Sequence, residues 1–262
     1  MRIPRIYDEQ LQPTVGSNLT LSESGTNHVS KVLRLKIGDH IVLFDGKGHE
    51  CQATLTQVGK TTCANIDQLI TRQSESPLNI ELLQVLSRGD RMDFTIQKAV
   101  ELGIKRIVPL TSERCGVKLD AARAAKKIDS YQKIVISACE QCGRNVVPPV
   151  MPLQSLSSYL KTLKAERDES EAKAETESSA DSATQRFINI TLDPRAQHKL
   201  TDLPATGHYR LLIGPEGGFT ETEVQESIEA GFVGVTLGPR ILRTETTALV
   251  TLAILGAHFG DL

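Results

Sequence analysis

Two short stretches near the C-terminal end carry residue types that could hold a ligand. Gly214-Pro215-Glu216-Gly217-Gly218-Phe219 follows an apolar run at 209–213, and Gly238-Pro239-Arg240 follows another at 233–237. Glycine lets a ligand approach the backbone closely. In α/β sheets, ligands collect outside the carboxyl ends of strands. Neither loop is built for phosphate: both lack the Lys-Ser/Thr pair of a phosphate loop, and Glu216 would repel phosphates. A backbone-lined cleft walled by Leu237, Ile241 and Leu242 suits a flat, uncharged base such as adenine. Tight turns would use the same residues, so spacing alone leaves both readings open.

Other motifs fail on spacing. Gly59-Lys60-Thr61 looks like the end of a phosphate loop, but Thr54 stands where the upstream glycine is needed. Gly46-Lys47-Gly48 lacks both a third glycine and a following helix. Cys139-Glu140-Gln141-Cys142 is a C-x-x-C pair without the second ligand pair of a structural zinc site. It also falls inside a helical pattern, whereas a thioredoxin-like pair sits where a helix begins after a strand. Both cysteines are expected to be small packing residues, and no metal site is expected. Five cysteines, an odd number, argue against a disulfide framework.

The elements that must position the glycine loops come in two styles. Residues 1 to about 72 read as short strands and turns. Ile41-Val42-Leu43-Phe44, the turn Asp45-Gly46 and the alternating run 49–56 predict a hairpin. Val29, Val32 and Leu33 lie at helical spacing in 27–35, with Asn27 as the expected cap. A compact β-barrel with one short helix fits this part. The polar stretch 73–77 ends in proline and suits a linker.

Beyond it the period changes. Strands are expected at 78–86 and 106–110. Helices are expected at 90–102, with Phe94, Ala99 and Leu102, and at 119–142, with Ile128, Ile134, Val135 and Ala138 inward. The strand at 209–213 leads through its loop to a helix capped by Thr220 and Glu223. A last helix is expected over 241–259. Alternating strands and helices imply an α/β layer with a largely parallel sheet. Residues 164–185 lack large apolar side chains and carry seven acidic against three basic residues. They are expected to form a mobile acidic insertion, a solvated charged helix being the alternative.

The 262 residues have a net charge of −2, with 39% hydrophobic and 24% charged residues, as in globular domains with a real core. No apolar run reaches the ~18 residues of a membrane span, and the N-terminal residues show no signal-peptide pattern, so the expectation is a cytoplasmic protein. The acidic balance is local to 164–185; the rest is net +2. Local clusters of Lys and Arg can still neutralise phosphates of a nucleic acid.

Ile213 through Phe219, followed by Leu237-Gly238-Pro239-Arg240-Ile241-Leu242-Arg243-Thr244-Glu245-Thr246, resembles the C-terminal signature of the SPOUT methyltransferases. The chain is similar to the RsmE family, which methylates N3 of a uridine in small-subunit (16S) ribosomal RNA. Val32-Leu33-Arg34-Leu35, Gly38-Asp39, Lys98-Ala99-Val100-Glu101-Leu102-Gly103, Ser112-Glu113-Arg114 and Glu140-Gln141-x-x-Arg144 extend the similarity over nearly the whole chain. The resemblance implies an α/β fold: a C-terminal parallel-sheet domain at 73–262 tied in a trefoil knot, and a PUA-like β-barrel for RNA at 1–72. It implies a homodimer acting on ribosomal RNA or an assembled small subunit.

The same resemblance implies S-adenosylmethionine held by Leu192, Ile213, Gly214, Pro215, Glu216, Gly217, Gly218, Leu237, Gly238, Pro239, Ile241, Leu242 and Thr246. It points to RNA contacts from Arg2, Arg5, Arg34, Lys98, Gln141 and Arg243. Uracil N3 carries a proton and is a poor nucleophile while it does, so a base or a stabilising cation must assist. Glu101 and Glu140 are the candidate carboxylates, and Lys98, Arg114, Arg144 and Arg243 the candidate cations for the developing anion and the RNA phosphates. Which carboxylate acts stays open, and a helix-face pair of Glu101 with Lys105 would be purely structural. An RNA-binding assembly factor without catalysis, or a methyltransferase acting on transfer RNA, would share most of these features.

Overall fold

The computed structural model describes residues 3–176, 187–193 and 196–262. Two compact units divide the chain: Met1–Glu75 with Val135–Val147, and Ser76–Ile134 with Pro148–Leu262.

In the first unit, β1 (Arg5–Tyr7), β2 (Asn18–Thr20), β3 (His40–Phe44), β4 (Glu50–Gln57) and β5 (Cys63–Ile70) form one sheet in the order β1-β3-β4-β5-β2. The expected hairpin is β3–β4, antiparallel, with Phe44 opposite Glu50. Its turn is closed by the Asp45 carboxylate, which accepts from the Lys47 N–H at 2.7 Å and the His49 N–H at 3.1 Å. Alternating inward residues, among them Ile41, Leu43, Ala53, Leu55, Ala64 and Ile66, build the core with Ile6, Leu21 and Val29.

The helix α1 (Glu23–Asn27) starts earlier than expected. Ser22, not Asn27, caps it, its side chain accepting from the Gly25 N–H. Asn27 already has helical angles and makes no capping bond, because the chain continues into a π-helical turn at His28–Val32. Arg34 then reverses the chain with a left-handed φ of 55°.

In the second unit, β6 (Asn79–Val85), β7 (Arg106–Thr111), β8 (Gln154–Ser155), β9 (Ile188–Leu192), β10 (His208–Ile213) and β11 (Phe232–Val235) make a sheet ordered β11-β9-β10-β6-β7-β8. Every pairing in it is parallel. Near-continuous burial of Leu82, Leu83, Val85, Ile107, Leu110, Leu211, Leu212 and Ile213 is what a parallel sheet demands. The helices are α2 (Arg91–Glu101), α3 (Ala121–Cys142, whose last turns belong to the first unit), α4 (Leu156–Thr176), α5 (Glu221–Glu229) and α6 (Thr244–Phe259).

Three expectations change here. Residues 164–176, expected as part of a mobile insertion, continue the helix α4, and Lys164 pairs with Glu229 at 3.2 Å. Ala, Glu, Lys and Arg are strong helix formers, so this stretch needs no large apolar face once a packed turn precedes it. Leu156, Leu160 and Leu163 supply that turn. The remainder, 177–185, lies outside the described residues. Phe94 is 47% exposed, because the packed face of α2 is Met92, Thr95, Ile96, Ala99 and Val100. Finally, α6 begins at Thr244, leaving Ile241, Leu242 and Arg243 in the preceding loop.

Candidate functional site

Parallel register brings three strand ends together. Leu192 at the end of β9 lies opposite Val235 of β11, and Thr191 lies opposite Leu212 of β10. The loops 214–220 and 236–243 therefore leave the sheet on the same edge, the position where α/β proteins bind ligands. Thr220 caps α5 through a reciprocal pair: its hydroxyl accepts from the Glu223 N–H, and the Glu223 carboxylate accepts from the Thr220 N–H at 2.9 Å. Glu223 also accepts from the Glu113 N–H at 2.8 Å, tying the loop after β7 to the same cap.

The backbone of these loops is open where a ligand would need it. Gly238 has φ +108°, which disfavours any L side chain, and a Cβ there would meet nothing within 4 Å. A Cβ on Gly217 would instead stand 3.3 Å from Arg114 Cβ, so the loop and Arg114 touch closely. Ile241 is 88% exposed beside the half-buried Leu237 and Leu242, an apolar wall that a flat ring would cover. Open space beside glycine backbone, together with this wall, fits the adenosine part of S-adenosylmethionine.

Next to the first loop lies a cavity of about 1060 Å³ lined by Arg88, Gly89, Asp90, Arg91, Phe94, Arg114, Gly116, Glu216, Gly217, Arg243, Glu245 and Thr246. Its four guanidinium groups exceed its three carboxylates, which suits a polyanion. Arg114 donates from Nη1 to the carbonyls of Gly217 and Phe219, each at 3.2 Å. Arg91 pairs with Glu216 at 2.7 Å and stands 3.9 Å from Glu245. Burial pushes the Glu216 carboxyl up, but hydrogen bonds from its own N–H, the Arg88 N–H and Arg91 outweigh it. The group is held below the usual carboxylate range.

The candidate residues from sequence thus separate. Glu216, Gly217, Thr246, Arg114 and Arg243 line the cavity. Leu192, Ile213, Gly214, Pro215, Gly218, Leu237, Gly238, Pro239, Ile241 and Leu242 sit on the strand ends and loops beside it. Glu101 does not line it; this carboxylate pairs with Lys98 at 2.7 Å. Glu140 belongs to the first unit, where it accepts from the Tyr7 N–H and contacts His28 Nδ1, both at 3.1 Å. Arg144, expected to be catalytic, is 3% exposed and bound to Glu75 at 2.6 Å.

Arg5, expected on the RNA side, is also buried: it pairs with Glu50 and donates to the Arg144 carbonyl at 3.0 Å. Both arginines follow from the way a small barrel closes its polar interior with matched charges. Arg34 and Gln141 are exposed. Arg2 lies outside the described residues. Arg88, Arg91 and Glu245 were missed. The signal was Ser87-Arg88-Gly89-Asp90-Arg91, a third glycine-bearing loop at a strand end.

Cys139 is buried and its thiol is pushed up to about 12, chiefly by that burial, so it is a packing residue. Among the described residues no cluster of ligands could hold a metal, and no helix is long and apolar enough to cross a membrane.

The RNA methyltransferase domain model matches residues 74–256, and the RNA methyltransferase PUA domain model matches residues 21–64. The chain is 35% identical to ribosomal RNA small subunit methyltransferase E of Buchnera aphidicola from Schizaphis graminum, over 100% of this chain and 98% of that one. The crystal structure of the same enzyme from Neisseria gonorrhoeae, bound to S-adenosyl methionine, is 41% identical with a TM-score of 0.84, covering 100% of both chains. A putative methyltransferase from Legionella pneumophila, also in complex with that cofactor, is 35% identical with a TM-score of 0.86 and the same coverage. The chain belongs to the ribosomal RNA small subunit methyltransferase E family, of SPOUT fold.

Proposed function

We propose that this enzyme transfers a methyl group from S-adenosylmethionine to N3 of a uridine in small-subunit ribosomal RNA. Its class, an S-adenosylmethionine-dependent methyltransferase of that RNA, follows from its family. The observation that carries the finer reading is the adjacency of two features. Glycine-bearing loops follow β10 and β11, and an arginine-lined cavity opens beside the first of them.

Bound S-adenosylmethionine supplies an electrophilic methyl group on a charged sulfur. The protein must orient it. The backbone of 213–218 and 237–239, with Leu192, Ile241, Leu242 and Thr246, would hold the adenosine beside the cavity. Arg88, Arg114 and Arg243 hold the RNA phosphates, and the same charges favour the uracil anion that forms as N3 loses its proton. Holding the two reactants at near-attack distance is the largest gain such a site can give. Arg34 and Gln141, exposed on the first unit, are separate contacts for RNA. The threading of 237–259 as a trefoil knot fits the way Thr244 is bonded to both Gln84 and Gly214.

A homodimer is part of the same proposal. Leu249, Val250, Ala253 and Ile254 on α6 remain only half-buried, and Phe94 is exposed on α2, which packs against α6. A two-fold partner would cover this apolar surface. The site of action is cytoplasmic, where ribosomal subunits are made.

Calorimetry tests the cofactor half. The whole chain binds S-adenosylmethionine, and Gly217→Val, which forces Arg114 aside, binds it far more weakly. Equal affinity of the two proteins would remove the 213–218 loop from the cofactor site.

A further inference from the structure

We infer that Glu245 is the acceptor of the target base's imide proton, and that Arg91 is the positioning residue that holds it. The inference rests on the proposed function, because only a base carrying an N–H at the methylated atom needs such an acceptor.

Three carboxylates line the cavity, and their surroundings differ. Glu216 is committed: it accepts from the Arg88 N–H at 3.3 Å and from Arg91 at 2.7 Å. Both bonds fall on Oε1, and they favour its charged, proton-free form. Asp90 is exposed at the start of α2. Glu245 differs from both. Its side chain is 15% exposed, and Oε1 lies 3.9 Å from Arg91 Nε. Its other oxygen, Oε2, is buried and has no hydrogen-bond partner among the described residues.

A buried acceptor without a donor is rare in a native protein and calls for a ligand that brings one. Glu245 sits in the first turn of α6, immediately after Thr244, which is fixed by bonds to Gln84 and Gly214. The backbone that carries the carboxylate is therefore anchored to the loop after β10. The same carboxylate lines the cavity, where an imide N–H would meet it.

The step balances without any further reagent. As the N3–H bond breaks, Oε2 of Glu245 takes the proton. The electron pair left on N3 forms the new bond to the methyl carbon, and the pair of the C–S bond goes to sulfur, which becomes a neutral thioether. Arg91, with one carboxylate on each side, keeps Glu245 turned toward the cavity and offsets the charge on N3 during transfer.

Glu245→Gln keeps the shape and removes the base. Single-turnover methylation of small ribosomal subunits that lack the modification is measured across neutral to alkaline pH, with S-adenosylmethionine affinity measured separately by calorimetry. The expected result is a rate loss of roughly 10²- to 10⁴-fold with unchanged cofactor affinity. The residual rate should climb with hydroxide concentration, since solvent must then remove the proton, while the wild-type rate is flat over the same range. Glu245→Asp should retain the flat profile at reduced rate, and Arg91→Gln should lower the rate without making it hydroxide-dependent.

A Glu245→Gln rate close to wild type overturns the inference. So does a matching loss of cofactor affinity, which would assign Oε2 to the ammonium group of S-adenosylmethionine. If wild-type enzyme puts its methyl on an atom that carries no N–H, the proposed function itself fails, whatever Glu245→Gln does.

Discussion

The hydroxyl of Thr244 donates to the carbonyl of Gly214 over 2.7 Å and accepts from Gln84 Nε2 at 3.0 Å. Gln84 is fully buried in β6, Gly214 opens the loop after β10, and Thr244 starts α6. One side chain thus joins the three segments that frame the site.

Thr244→Val preserves shape but leaves Gly214 O and Gln84 Nε2 without this partner. An unmatched buried polar group costs about 1–3 kcal/mol. The cofactor loop should loosen, and S-adenosylmethionine affinity should fall about tenfold, or ~1.4 kcal/mol. Thr244→Ser, which keeps the hydroxyl, should stay near wild type. Calorimetry on both variants checks this; a loss in Thr244→Ser with Thr244→Val near wild type would show that the methyl group, not the hydrogen bonds, matters at this position.

Arg144→Ala removes one partner of a buried ion pair and leaves the Glu75 carboxylate facing the gap. Breaking such a pair typically costs about 3–5 kcal/mol. The variant should unfold at lower denaturant concentration, and any loss of activity should follow the loss of folded protein. A fully stable but inactive Arg144→Ala would return this residue to catalysis.

The parts of the architecture legible in the sequence were those carried by local pattern. The Asp45-Gly46 hairpin, the Thr220–Glu223 capping box and the strand–loop–helix run from 208 to 229 depend on residues close in the chain. The glycine-bearing loops after β10 and β11 were legible for the same reason. Long-range pairing was not. Nothing local distinguishes Arg144, which meets Glu75, from Arg114, which reaches Gly217 and Phe219. Glu140 was taken as a candidate base, yet its partners, Tyr7 and His28, are more than a hundred residues away. Arg91 and Glu245 belong to helices far apart in sequence, and only packing of α2 on α6 brings them into one cavity.

His28 provides a pH-dependent prediction for the first unit. Its contact with Glu140 raises its pKa above the ordinary 6.5, more than partial burial lowers it. A raised folded-state pKa means that protonated His28 stabilises the fold. The contribution is complete below the unfolded-state value and disappears as pH rises through the folded-state one. His28→Gln should therefore melt below wild type at about pH 5.5, with the gap shrinking toward about pH 8.5. A gap that widens with pH would mean that neutral His28 is the stabilising form.

Mapping the product tests the central claim most directly. Purified enzyme, isotope-labelled S-adenosylmethionine and small-subunit ribosomal RNA, free or assembled into subunits, are combined, and the RNA is digested to nucleosides for mass spectrometry. The account predicts one labelled nucleoside, 3-methyluridine, at a single position. Label on another base or another uridine atom, or no transfer by enzyme that binds the cofactor, would contradict it.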